Sequence, residues 1–212
     1  MSWKRIWISA ATIALFLSLA APRQSAAGAP TDQVRATVDN ITSILKNPAL
    51  KNDARRKDRR EQLRRAIFAR FDFNEMAARS LGAYWRKLTP QQQDEFTRLF
   101  TDLLERAYID QIESYTNEKF TYVKETVDQD YADVQSKIQT AKGEEYQLNY
   151  RLRLVGKEWK VYDVVVENIS LVNNYRSQFN RVIANQSYDE LVRKLKDKQI
   201  QTATDKTVTD KR

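Results

Sequence analysis

Two side chains are missing from this sequence altogether: cysteine and histidine. Without cysteine there is no disulfide framework, no thiolate nucleophile and no soft metal ligand. Without histidine the Ser-His-Asp and Cys-His catalytic systems are excluded. Zinc and nearly all transition metals lose their usual ligands as well. Only 4 glycines occur in 212 residues, too few and too scattered for a loop that cradles phosphates. What remains for catalysis is carboxylate pairs, lysine or tyrosine, which every protein has. No cofactor and no metal are expected.

Long apolar runs are scarce too. There is one, Ile6 to Ala21, interrupted by Ser9, Thr12 and Ser18. It falls short of the ~20 residues a membrane span needs, and Pro22 follows it. Lys4 and Arg5 precede it, and Ser25-Ala26-Ala27 places small residues at the −3 and −1 positions of a cleavage site. This order reads as a cleavable export signal over residues 1–27, with Gly28 as the first mature residue. No cysteine lies near the cleavage site, so no lipid anchor is expected. Residues 28–200 are expected to form one domain, and the polar stretch 201–212 a disordered tail. Basic residues outnumber acidic ones, 36 to 28. Such a balance suits nucleic acid, anionic headgroups or an acidic protein; export argues against nucleic acid.

Helical periodicity covers 31–45, where Val34, Val38, Ile41 and Leu45 share a face. Asn47-Pro48 breaks it. The Arg-rich stretch from Asp53 to Arg65 carries a narrow apolar stripe through Leu63, Ile67 and Phe68. Arg55, Arg56, Lys57, Arg59 and Arg60 form either a docking patch or a solvated helix face. A short helix is expected over Asn74–Leu81, ended by Gly82. Thr89-Pro90-Gln91-Gln92 has the form of a capping box with proline at N1. It opens a long helix, Gln91 to Ile112, with Phe96, Leu99, Phe100, Leu103, Leu104 and Tyr108 on one stripe.

The period then changes to two. Strands are expected through Phe120 and Tyr122, over Tyr131–Thr140, over Tyr146–Leu154 and over Trp159–Glu167. Ser170 and Ser187 each suit the N-cap of a further helix. Helices, then a meander, then helices describe an α+β fold: a curved antiparallel sheet of about four strands, covered on one face by helices. Sheet and helices together make a cone, packed or hollow.

Two segments carry more than periodicity. One reads Phe71-Asp72-Phe73-x-x-Met76-Ala77-x-x-x-Leu81-Gly82-x-Tyr84-Trp85, continuing to Leu88-Thr89-Pro90-x-Gln92-x-x-x-Phe96-x-x-Leu99-Phe100. The other reads Trp159-Lys160-Val161-Tyr162-Asp163-Val164, then Ile169-Ser170-Leu171-Val172-x-Asn174-Tyr175-Arg176-x-x-Phe179. Together they resemble the MlaC family of periplasmic phospholipid-binding proteins, over roughly Val34 to Lys198. One departure is Asn168, where the family pattern leads one to expect glycine; asparagine tolerates positive φ best among the other residues.

The resemblance implies a periplasmic carrier of glycerophospholipids, not an enzyme. Its partners would be an outer-membrane lipoprotein–porin complex and an inner-membrane ABC transporter with an MCE-domain subunit, and its role the maintenance of outer-membrane lipid asymmetry. The acyl chains would lie in an apolar pocket between sheet and helices. Candidate lining residues are Phe96, Phe100, Leu104 and Tyr108 from the long helix. From the strands they are Val134, Tyr146, Leu148, Tyr150, Trp159, Val161 and Val164. Leu171, Tyr175 and Phe179 would close the base, with Tyr84 and Trp85 at the rim. The same residues at the same spacings also suit an ordinary packed core. Arg176 is a candidate to meet a phosphate or to form a structural ion pair. Two rivals stand beside this reading. One is a protein-binding chaperone or interaction module, which would show an exposed apolar patch. The other is an enzyme using the carboxylates of Asp72, Asp163 and Glu167.

Overall fold

The structure, a computed structural model, describes residues 29–115 and 117–200. The expected export signal and the polar tail lie outside the described residues.

Helix α1 (Pro30–Lys46) starts with proline in its first turn, where a missing N–H costs nothing. Two short 3-10 turns, Pro48–Leu50 and Asp53–Arg55, lead into α2 (Arg56–Arg70). Helix α2 buries only Leu63 and Ala66; much of its arginine-rich surface faces water. Helix α3 (Phe73–Leu81) is capped by Asp72, whose carboxylate accepts from the Glu75 amide. Gly82 ends it at φ 58°, and a 3-10 turn, Gly82–Lys87, follows. Helix α4 (Pro90–Ser114) opens with the complete Thr89/Gln92 capping box and runs two residues past the expected Ile112. Ser170 and Ser187 cap α5 (Leu171–Asn185) and α6 (Tyr188–Lys196), as their positions predict.

The sheet is an antiparallel meander of five strands in sequence order: β1 (Lys119–Asp128), β2 (Tyr131–Gln139), β3 (Glu145–Val155), β4 (Glu158–Val166) and β5 (Ile169–Ser170). The expected count was about four; β5 is the addition. It escapes a periodicity reading because two residues have no period. It exists because Glu167 and Asn168 take φ 46° and 65° and turn the chain back in a two-residue hairpin. Asn168 thus fills the positive-φ position at which glycine is the expected residue.

Two bulges shape the sheet. Val123 interrupts the β1–β2 register, and Tyr162 interrupts the register between Arg151 and Leu152 of β3. An extra residue in one strand sharpens the local twist and re-aims the side chains around it. In β4 the bulge sets Trp159 and Val161 against Leu154 and Leu152, and Val164 and Val166 against Tyr150 and Leu148. Asp163 falls opposite Arg151 on the polar side. This is why β4 is buried over parts of both faces.

The buried apolar residues form two clusters. One is helical: Met76, Leu81, Phe96, Phe100, Leu103, Leu104, Val172, Tyr175, Phe179, Leu191 and Leu195 are among its members. The other belongs to the sheet and α1: Val34, Ala132, Val134, Tyr150, Leu152, Trp159 and Val161. Half-buried Phe71 packs against both. Asp72 donates its amide to the Val161 carbonyl at 2.8 Å, which ties the start of α3 to β4.

Candidate functional site

The predicted lining residues divide between the two clusters. Phe96, Phe100, Leu104, Tyr175 and Phe179 are buried in the helical one, with Tyr84, Trp85, Tyr108 and Leu171 half-buried against it. Phe96, Phe100, Tyr175 and Phe179 pack ring to ring, with centroids 5.4–6.0 Å apart. Trp85 meets the edge of Phe96, and Tyr84 stacks on Tyr188. These two aromatics therefore sit where α3, α4 and α6 come together. Val134, Tyr150, Trp159 and Val161 are buried in the sheet cluster, with Leu148 and Val164 half-buried against it. Tyr146 remains 38% exposed and donates its hydroxyl to Glu144. Beyond Leu148 and Val164, the same face ends in exposed Val166 (43%) and Ile169 (65%).

A row of tyrosines spans the junction of the two clusters. The Tyr108 hydroxyl of α4 lies close enough to Tyr175 of α5 for that residue to offset part of the effect of its burial. One helical stripe further on, at i+7, Tyr115 is close enough to Tyr150 of β3 to perturb it, as is Tyr122 of β1. Helix α4 thus reaches from the helical core to the sheet. Burial pushes the Tyr150 phenol far up, with Tyr122 and Tyr115 adding to it. Burial, reinforced by the Asp39 carboxylate, pushes Tyr122 up to about 12. The Tyr108 and Tyr115 phenols are raised by burial too. All four stay neutral near pH 7, so they are hydrogen-bond donors and not nucleophiles. The Tyr122 hydroxyl and the Trp159 indole N–H are buried without a hydrogen-bond partner among the described residues. Sequence reading missed Tyr115 and Tyr122 as site residues. The signal was present: Tyr108, Ile112 and Tyr115 continue the α4 stripe at i, i+4 and i+7.

The carboxylates suspected of catalysis have structural work. Buried Asp163 accepts from the Ser170 hydroxyl at 2.6 Å, the Val172 amide at 3.0 Å and Arg151 at 3.1 Å. It therefore fastens the start of α5 to β4. Asp72 caps α3 and pairs with Arg153 at 2.6 Å. Glu167 accepts from the Gln147 amide. Among the described residues no group of acids is arranged to hold a metal ion.

The Arg-rich helix is not simply a free surface. Arg59 and Arg60 reach across to Glu113 near the end of α4, at 2.9 and 2.7 Å, and Arg60 and Arg56 also pair with Asp110. Burial alone would raise the Glu113 carboxyl; the hydrogen bonds and charges of Arg60 and Arg59 outweigh it and hold it below the usual range. Helix α2 is thereby clamped to the half of α4 that carries Tyr108 and ends at its C-cap, Tyr115. No described helix is long and apolar enough to cross a membrane.

The profile of the MlaC protein family matches residues 35–197. The intermembrane phospholipid transport system binding protein MlaC of Haemophilus influenzae is 28% identical over 120 residues, 54% of this chain and 56% of that protein. The toluene tolerance protein ttg2D of Pseudomonas putida is 33% identical over 97 residues, 45% of each chain. The chain thus spans about half the length of these curated relatives. A solved phospholipid-binding protein from Ralstonia solanacearum, in complex with a phospholipid, superposes with a TM-score of 0.72 at 26% identity. That likeness covers 80% of this chain and 96% of the Ralstonia chain.

Proposed function

The chain belongs to the MlaC protein family, and we propose that it is a periplasmic carrier of glycerophospholipid. The observation that carries this reading is the likeness to a structure solved with a phospholipid bound, over nearly the whole of that chain. In this reading the acyl chains lie between the helical and sheet clusters, along Tyr108, Leu148, Tyr150 and Val164. The entrance is the exposed apolar rim of Tyr146, Val166 and Ile169. The headgroup stays at that rim, near solvent. The carrier receives lipid from, and delivers it to, an outer-membrane lipoprotein–porin complex and an inner-membrane MCE-domain ABC transporter. Its service is the lipid asymmetry of the outer membrane.

The energetics suit a carrier. Burying one methylene is worth ~0.8 kcal/mol, so two acyl chains with about thirty offer on the order of 20 kcal/mol gross. Lost motional freedom takes back a large share. No special polar motif is needed to hold the tails, but release is slow until a partner opens the walls. The engaged state of Asp72, Asp163 and Glu167 supports a non-catalytic reading.

The test is extraction. The protein is purified from periplasm without detergent, denatured, and its organic phase analysed by mass spectrometry. Near-stoichiometric phospholipid is expected. An empty protein that also takes up no lipid from vesicles would end the carrier reading.

A further inference from the structure

Apart from the interior, α3, β3, β4 and α5 enclose a solvent-open cleft of about 400 Å³. Arg79, Gly82, Arg151, Tyr162, Asp163 and Arg176 are among its lining residues. Three guanidinium groups from three separate elements share this one depression. Two of them are held in place. Arg79 lies over the Tyr162 ring at 4.1 Å and bonds to Glu75 at 2.7 Å. Arg151 bonds to buried Asp163 at 3.1 Å. The third, Arg176, is exposed and forms no ion pair among the described residues. The structural-ion-pair alternative for Arg176 is therefore not what is found.

The floor beneath Arg176 is built to receive it. A Cβ at Gly82 would stand 2.9, 3.0 and 3.1 Å from the Nη2, Nε and Cζ atoms of Arg176. Gly82 also holds φ 58°, which other residues rarely adopt. Glycine thus serves the turn and at the same time lets a guanidinium lie against the backbone. Glu75 engages Arg79, and Asp163 and the more distant Asp133 (3.7 Å) engage Arg151, so the exposed guanidinium of Arg176 is the cleft's source of free N–H donors. Asp163 already occupies the place of a planar carboxylate beside Arg151. Donors arriving from three elements match a tetrahedral oxyanion, whose oxygens point in several directions. Arginine forks bind such groups strongly.

We propose that this cleft binds a phosphate group. Its openness admits either free phosphate or the phosphate of a lipid headgroup at a membrane surface. It is a second site, independent of acyl-chain binding in the interior.

Inorganic phosphate is titrated into the full-length processed protein by calorimetry at low ionic strength, with wild type beside Arg176→Gln. Saturable binding is expected, at least tenfold weaker in R176Q and weakened by added salt. Lipid co-purifying with R176Q is expected to stay at the wild-type level, so failure here is distinct from failure of the carrier reading. Sedimentation with phosphatidylcholine vesicles, with and without phosphatidic acid, separates the sources. Vesicle binding that rises with phosphatidic acid and falls in R176Q assigns the headgroup; phosphate binding without it assigns the free ion. Should R176Q not fold, Arg176→Lys keeps the charge, loses the fork and is expected to bind phosphate more weakly. No saturable phosphate binding, equal binding by the folded variant, or binding of polyglutamate but not of phosphate would each overturn the proposal.

Discussion

Buried Asp163 accepts three hydrogen bonds, from Ser170, Val172 and Arg151. Its removal orphans the Val172 amide and leaves Arg151 with only the distant Asp133, at 3.7 Å. Asp163→Ala is expected to cost about 3 kcal/mol, measured by urea denaturation at pH 7. A loss under ~1 kcal/mol would mean that its partners are not structural. The tyrosines respond to pH in the opposite sense to a carboxylate. Their folded pKa values are raised, Tyr122 to about 12 and Tyr150 further, chiefly by burial. The unfolded phenol ionises near 10. Their contribution to stability is therefore whole below about pH 10 and lost as pH rises through the folded values. Phenolate absorbance and near-ultraviolet circular dichroism should move together in an alkaline titration. Tyrosines that all ionise near 10 while the dichroism stays native would contradict this burial.

At the scale of elements, α4 is fixed at both ends. Its start is held by the Thr89/Gln92 box and its end by α2 through Arg59, Arg60 and Glu113. The folded pKa of Glu113 is depressed, so the clamp contributes above the unfolded carboxylate value of about 4.3 and is lost as pH falls through the folded one. Glu113→Gln is expected to cost about 1–3 kcal/mol, less than a fully buried pair because Arg60 stays a third exposed. If α2 restrains the wall of the lipid space, the same variant will speed transfer of a fluorescent phospholipid between vesicles. An unchanged transfer rate with the stability loss intact would make the clamp purely structural. Much at this scale was legible in the sequence. Caps at Thr89, Ser170 and Ser187 and the alternation of β3 announce themselves through local rules. The Tyr162 bulge does not, because it is decided by where β4 must place Asp163 relative to Arg151 and α5. Nor does the clamp, since arginines on an isolated α2 look like any solvated face until Glu113 arrives from more than fifty residues away.

For the whole molecule, the division into helical and sheet clusters was not legible, because the same apolar spacing serves either cluster. This division determines how the two kinds of candidate residue should behave. Phe100 is fully buried among Phe96, Tyr175 and Phe179, so Phe100→Ala removes packing and is expected to cost about 3–5 kcal/mol. Val164 is only half-buried, although it faces inward beside Tyr150 on the sheet. If lipid tails occupy the space in front of it, Val164→Trp fills that space with little strain. Melting without lipid should then change by less than ~1 kcal/mol, while co-purified phospholipid falls severalfold. If side chains already fill the space, the added ring is overpacking and costs about 1–3 kcal/mol. Measuring stability and lipid content on the same preparation of Val164→Trp separates the two. A carrier gives loss of cargo with the fold intact, and a solid core gives loss of stability with no cargo to lose.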